Sequence, residues 1–389
     1  MLENKDIIII STMDWDESVQ IMHQMALRLS EKNRVLYIGR QFSIEHLIKY
    51  PAYFRFVIKS FKGIYKIKEN LWGKAPFLLK PARYYLRFMD NISQLMMRLR
   101  IKRWSKKLGF KNPIIWCFFP NSGNLVGKLN ESLFFYHCVD CFSANSTGRK
   151  KKIIDQIEYD LGKKSDLIIC TSKKIYGAKK ELNQNTFYIP NAAETDLFLK
   201  VNSDEIKVNE DIEKIPGKKF LHLGYLNAKT NLKILFEIFS RHPEWSFIQI
   251  GEIMKKDFKK KELEDFLNLQ NVFSLGFIEQ KELPAYIKGC DACLIPLNKN
   301  EWTDCVSPLK FFEYAATGKI IISTNIDEIM QYPENAFIAT NPSEFELLME
   351  KVFKGEIAAN PEAQLEFARN NTWDKRFEEI QKLVENNLK

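Results

Sequence analysis

At 389 residues, 45% of them hydrophobic and 28% charged, the chain has material for two or three ordinary domains, which excludes a disordered or fibrous protein. No run of about 18 apolar residues occurs, which excludes a membrane-spanning helix, and the polar start Met1–Asp6 followed by four isoleucines is no secretory signal. The net charge of +9 favours an anionic partner, and the seven cysteines, mostly inside apolar segments, read as buried thiols of a reducing, cytoplasmic compartment.

Ile7 to Ile10 reads as a buried strand ending in the loop Ser11-Thr12-Met13-Asp14-Trp15-Asp16. A helical pattern over Val19–Leu29 and a second strand, Arg34–Ile38, follow. Strand, loop, helix, strand opens a parallel α/β sheet, and its loops lie at the carboxyl edge where such sheets bind ligands.

Residues 49–111 break the pattern, as an insertion in the first domain. From Arg55 to Lys111 they carry sixteen Lys and Arg against Glu69 and Asp90, a balance of +14 that exceeds the excess of the whole chain. Aromatic residues such as Phe61, Trp72, Tyr84 and Trp104 are interleaved, and a helix is predicted from about Pro81 to Lys107. Three readings stand: an anionic membrane surface, nucleic acid, for which no motif speaks, or a helical insertion with a basic solvated face.

The sheet pattern resumes with strands at Pro113–Phe119, Leu133–Cys138 and Ser165–Cys170, a helix at Ile153–Lys164, and a helix capped by Ser172. Asp140 follows the second of these strands, Leu133–Cys138, and His137 reads as a hydrogen-bonded core histidine. Residues 201–218, charged and carrying Pro216-Gly217, read as a linker between a domain at 1–200 and one at 219–370, with a last helix in 371–389. The second series runs through strands at Phe220–Leu223, Trp245–Ile250 and Ala292–Pro296, with helices at Leu232–Phe239 and Leu283–Lys288.

Thr303–Thr324 then reads as loop, helix, glycine stop and buried strand. Ser307 suits an N-cap, Pro308 the first helical position and Gly318 the left-handed stop. Lys310 is out of place there, because the first turn of a helix is already positive. Either an anion answers it, or it is a solvated lysine paired with Glu313.

With both series in place, the sequence resembles the GT-B glycosyltransferases of the bacterial teichuronic-acid, capsule and exopolysaccharide type. The stretches that carry this are Ser11–Asp16, D-L-I-I-C-T-S at Asp166–Ser172 with I-P-N at Ile189–Asn191, His242–Gly251, and S-P-L-K-F-F-E-Y at Ser307–Tyr314. The resemblance implies an α/β fold of two Rossmann-like domains facing a central cleft, with the donor, an NDP-sugar and by preference a UDP-sugar, on the second domain. It makes Lys310 a diphosphate contact and Glu313 a ribose contact, with Ser307, Pro308 and Leu309 around the phosphates and Gly224 allowing close backbone approach. Phe277 and Ile278 are candidates for lining the base. Cys305 stands where many retaining members carry a glutamate. Either Asp304 takes over that sugar contact, or the stereochemistry lies outside the retaining pattern.

An inverting reaction needs a base on the first domain. Asp140 is the first candidate and Asp14 and Asp16 the others, each of which could equally be a loop carboxylate or helix cap. No metal-binding cluster is expected. The implied acceptor is a lipid-linked or growing surface glycan, which places the enzyme peripherally on the inner face of the membrane through residues 55–111. A sugar-nucleotide epimerase and a non-catalytic protein on the same frame are the alternatives.

Overall fold

The computed structural model describes residues 2–41, 54–76 and 87–388. The expected start of a helix at Pro81, with Tyr84 and Tyr85, lies outside the described residues. The chain divides into two compact units, Met1–Pro190 with Phe377–Lys389, and Asn191–Arg376.

The first unit is built on β1 (Asp6–Ile10), β2 (Arg34–Ile38), β3 (Tyr65–Lys68), β4 (Leu71–Lys74), β5 (Ile114–Cys117), β6 (Leu133–Cys138), β7 (Leu167–Cys170) and β8 (Thr186–Tyr188). Their order is β3-β4-β2-β1-β5-β6-β7-β8, parallel except for the β3–β4 hairpin. Ile7 to Ile10 are all buried, as an unbroken apolar run predicts for a strand covered on both faces. The order reverses between β1 and β5, so the crevice of an open α/β sheet falls at their carboxyl ends.

The basic segment is only partly the helical insertion expected. It contributes β3 and β4 as edge strands, with β4 in parallel register on β2. Lys74, at the end of β4, is buried and donates to the carbonyls of Ser60 (2.6 Å) and Lys62 (2.5 Å). A helix then runs over Arg87–Leu108. Arg34 bonds the carbonyls of Leu108 and Gly109, which ties the end of that helix to the sheet.

The second unit carries β9 (Lys218–Leu223), β10 (Trp245–Ile250), β11 (Val272–Gly276), β12 (Ala292–Ile295), β13 (Ile320–Thr324) and β14 (Phe337–Ala339). The six strands pair in parallel in the order β11-β10-β9-β12-β13-β14. The order reverses between β9 and β12, which marks their carboxyl ends as the binding crevice.

Residues 201–218, read as a linker, fall within the second unit. Val201, Ile212 and Ile215 are buried in its core, beside Leu221 and Ile287. Their charged neighbours hid an apolar spacing too sparse to register as a period. The helix Pro361–Asn370 was not foreseen either; Asn360 caps it by accepting from Ala363 N (3.2 Å). The last helix, Trp373–Asn386, returns the chain to the first unit at Phe377.

Candidate active site

The helix Leu309–Thr317 follows β12 and ends at Gly318, whose φ of 67° is the left-handed stop the sequence predicts. Its start differs from expectation. Pro308 occupies the N-cap, in an extended conformation, and no side chain caps the first turn. Ser307 Oγ instead accepts from Asn191 N (3.3 Å), and Ser307 O accepts from Asn191 Nδ2 (2.7 Å). The hydroxyl that was to close the helix is turned to holding the loop. The first turn carries no acidic residue and one cation, Lys310. An uncapped amide terminus with a lysine on it is an anion-binding arrangement.

Lys310 does not pair with Glu313. Its ammonium donates to His222 Nε2 at 2.9 Å. His222 points from β9, fully buried, and its Nδ1–H donates to Gln249 Oε1 at 2.7 Å. Gln249 Nε2 in turn donates to the carbonyl of Gly224 at 2.7 Å. Burial lowers the pKa of Lys310 to about 8; Glu313 opposes that shift and the charge of Lys229 adds to it. Lys229 lies over the Trp302 ring, 4.4 Å from its centroid. Two lysines thus share a field at the carboxyl ends of β9 and β12, where a dianionic ligand would relieve their repulsion.

Glu313 lies one turn beyond Lys310, half-buried. Burial raises its pKa to about 7, against the pull of Lys310. It makes no hydrogen bond or ion pair with any described residue, so both of its oxygens are available to a ligand. Tyr314, the next residue, is fully buried and its hydroxyl accepts from Leu223 N (2.7 Å), which locks the helix to the end of β9. Gly224 follows with φ 98° and open space on its Cβ side, so backbone can approach a ligand there. Gly251 meets it closely: a Cβ on Gly251 would lie 2.3 Å from Gly224 O.

Asp304 does not stand free for a sugar. Its carboxylate is ion-paired with Lys299 at 2.6 Å, beside Asp327 on the same lysine. Phe277 is 71% exposed and Ile278 half-buried. Both line an open concavity of about 460 Å³ with Leu275 and Tyr286.

In the first unit, Asp14 and Asp16 come together on one cation, each 2.6 Å from Lys59 Nζ. Burial works to lower the pKa of Lys59, but the hydrogen bonds to Asp14, Asp16 and Tyr65 outweigh it and hold the pKa above its ordinary value. Asp14 is fully buried and Gly39 packs against it, since a Cβ there would lie 2.9 Å from Asp14 Oδ2. Both carboxylates are thus committed to the Lys59 ammonium. Asp140 lies just past the end of β6, half-buried, and accepts from Cys141 N at 2.9 Å. His137 is a core residue: Trp116 Nε1 donates to its Nδ1 (3.2 Å), and burial drops its pKa to about 3. Cys117, Cys138, Cys170, Cys290 and Cys293 are buried free thiols, and burial raises the pKa of each. Among the described residues no group of three or more His, Cys, Asp or Glu is placed to hold a metal ion.

Residues 217–354, which carry β9 through β14 and every lysine and glutamate of this cluster, match the family described as Glycosyl transferases group 1. The chain is 25% identical over 292 residues to TuaH of Bacillus subtilis (strain 168), a glycosyltransferase assigned to teichuronic acid biosynthesis, covering 69% of this chain and 70% of that protein. Solved structures are similar in fold along nearly all of the chain, two of them as follows. One is a UDP-forming α,α-trehalose-phosphate synthase from Burkholderia xenovorans in complex with glucose-6-phosphate (TM-score 0.71, 11% identity, 98% and 100% of the two chains). The other is Anabaena Alr3699/HepE in complex with UDP and glucose (TM-score 0.67, 12% identity, 98% and 100%). The chain has the GT-B fold, and its residues 217–354 carry a group 1 glycosyltransferase domain.

Three residues of this cluster were not singled out from the sequence: His222, Lys229 and Gln249. Lys229 had a readable signal, a lysine five residues after the glycine that ends β9. His222 and Gln249 had a weaker one. Each is a polar residue between apolar ones in the second half of its strand, and β9–β10 register pairs them side by side. That pairing is visible only once the two strands are aligned.

Proposed function

We propose that the enzyme moves a hexosyl group from a UDP-sugar to a lipid-linked or growing cell-surface glycan. The observation that carries the donor half is the uncapped start of the helix Leu309–Thr317 with Lys310 on its first turn, near enough to Lys229 to feel its charge, and Glu313 one turn on. Sugar transfer breaks the bond between the anomeric carbon and the β-phosphate oxygen, so negative charge grows on the departing diphosphate. Two ammonium groups and a helix terminus are preorganised stabilisation for that charge. Glu313, with two available oxygens, suits the vicinal hydroxyls of a ribose. Leu309 N–H and the loop at Ser307 and Pro308 complete the phosphate side, and Gly224 lets backbone close on it. Asp140, just past the carboxyl end of β6, is the proposed acceptor base. The nucleotide is taken from the UDP seen in the Anabaena structure, and the acceptor class from the pathway of TuaH.

A thermal-shift panel tests the donor. A saturating UDP-sugar at about 100 times its Kd should stabilise the protein by roughly 2.7 kcal/mol and raise Tm by several degrees. An equal shift with adenosine and guanosine diphosphates, or none with any, would sink the uridine assignment.

The acceptor half rests on the helix Arg87–Leu108. Asp90, Gln94, Met97 and Ile101 form its buried stripe. Phe88, Ile92, Leu95 and Leu99 repeat the same spacing on the opposite side and are exposed, Phe88 by 71%. Lys102, Arg103 and Lys106 continue that outer face as exposed cations. Phe61, 80% exposed, adds to the apolar surface of the segment. An apolar stripe running into cations suits an anionic lipid interface. No helix among the described residues is long and apolar enough to cross a membrane. In flotation with phosphatidylglycerol vesicles at low salt, the protein should bind, and reversing Lys102, Arg103 and Lys106 to Glu should weaken binding roughly 100-fold. Equal binding to neutral and anionic vesicles would overturn the docking surface.

A further inference from the structure

We infer that His222, its tautomer fixed by Gln249, is a positioning residue that aims Lys310 at the donor diphosphate. The inference rests on the donor reading above and goes beyond it by assigning two buried residues that touch no substrate.

The direction of every hydrogen bond in the chain is determined. The carbonyl of Gly224 can only accept, so the Gln249 amide presents its Nε2 there (2.7 Å) and its Oε1 to His222. Oε1 can only accept, so His222 carries its proton on Nδ1. Nε2 is then a lone pair, and the Lys310 ammonium donates to it at 2.9 Å. Burial, reinforced by the charge of Lys310, keeps His222 neutral, so the acceptor persists across the working pH range. His222 and Gln249 are both fully buried on paired strands, which gives the chain a rigid base. One ammonium hydrogen is thereby spent and two are left for an anion. The arrangement also ties Lys310 to Gly224, so the lysine and the glycine backbone at the phosphate side are held by the same relay.

The role has consequences that mere packing does not. A tethered Lys310 loses little side-chain freedom when the diphosphate arrives. Accepting from the ammonium also favours its charged form, so the relay keeps Lys310 protonated to higher pH. Replacing Gln249 with Leu leaves the imidazole in place but frees its tautomer. Nε2 can then carry the proton and meet the lysine donor to donor.

The test measures UDP affinity by calorimetry on the full chain, from pH 6 to pH 9.5, for wild type, Gln249→Leu and His222→Leu. The expected result is about 10-fold weaker UDP binding at pH 7.5 in both variants, with the alkaline loss of affinity beginning at lower pH than in wild type. Uridine affinity should be unchanged. The imidazole nitrogen spectrum should show the Nδ1–H form in wild type and a mixture in Gln249→Leu. If His222→Leu does not fold, Gln249→Leu decides. Variants that fold and bind UDP with the wild-type affinity and pH profile would overturn the relay. A wild-type protein that binds no UDP would instead overturn the donor reading on which it rests.

Discussion

Replacing Lys310 with Met is expected to weaken UDP binding about 100-fold, roughly 2.7 kcal/mol, without loss of thermal stability. The affinity argument is electrostatic. Charge-assisted hydrogen bonds to phosphate are worth about 1.5–3 kcal/mol, and Lys310 has two hydrogens to offer once His222 has taken one. The stability argument runs the other way. A folded-state pKa depressed to about 8, from 10.5, means that the charged lysine is costly in the fold at every pH below 8. That cost fades only as pH rises through 8 towards 10.5. Met removes it while keeping the volume, so Tm at pH 7 should hold or rise. Calorimetry with UDP, alongside a melting curve, checks both halves. Uridine should bind the variant as it binds wild type, since Lys310 addresses the phosphates. Unchanged UDP affinity would remove Lys310 from the diphosphate site.

The sequence draws attention to Lys310 because it breaks a local rule: a cation in the first turn of a helix, on a sequence otherwise consistent with its fold. The architecture was legible for a related reason. Ile7–Ile10, Leu133–Cys138 and Trp245–Ile250 are uninterrupted buried strands, and Leu283–Lys288 is the helix expected at those bounds. The β3–β4 hairpin was not legible. Y-K-I-K alternates charge with apolar residues and L-W-G-K is only four residues long, both inside a strongly basic stretch, and the apolar partner of Leu71 across the sheet, Val35, lies 36 positions upstream. Side-chain commitments were the least legible of all. Ser307 has the chemistry of a cap and Asp304 that of a sugar ligand, but Asn191 and Lys299 claim them through loops that no local pattern reports. Asp14 and Asp16 look like candidate bases until Lys59, 43 and more residues away in sequence, is found between them. Local propensity specifies where elements form, while the state of a titratable side chain depends on long-range neighbours.

Glu313→Gln is expected to raise Tm at pH 8 and to damage UDP binding at the same time. Burial raises the folded-state pKa of Glu313 to about 7, against 4.5 for the free side chain. Below pH 4.5 both states are protonated and the carboxyl costs nothing. Between 4.5 and 7 the unfolded chain ionises first, so stability falls as pH rises, and above 7 the full cost is present. It is on the order of 2–3 kcal/mol after allowance for the partial exposure of the group, which corresponds to several degrees of Tm. Gln carries no charge to bury, so the variant should melt higher than wild type at pH 8 and level with it at pH 4. Binding should respond in the opposite sense. A carboxylate can accept from both ribose hydroxyls, an amide oxygen supplies a poorer acceptor, and UDP affinity should drop at least about 10-fold. Pyrophosphate should bind the variant as well as wild type. In the wild type, affinity for UDP should rise as pH passes 7, when Glu313 ionises, and fall above 8, when Lys310 loses its proton. The variant should keep the alkaline limb and lose the acid one. A variant that melts lower at pH 8, or that loses pyrophosphate and UDP equally, would show that Glu313 supports the fold rather than the ribose. A gain in stability bought with a loss of nucleoside recognition is the signature of a residue kept in a costly state for its ligand.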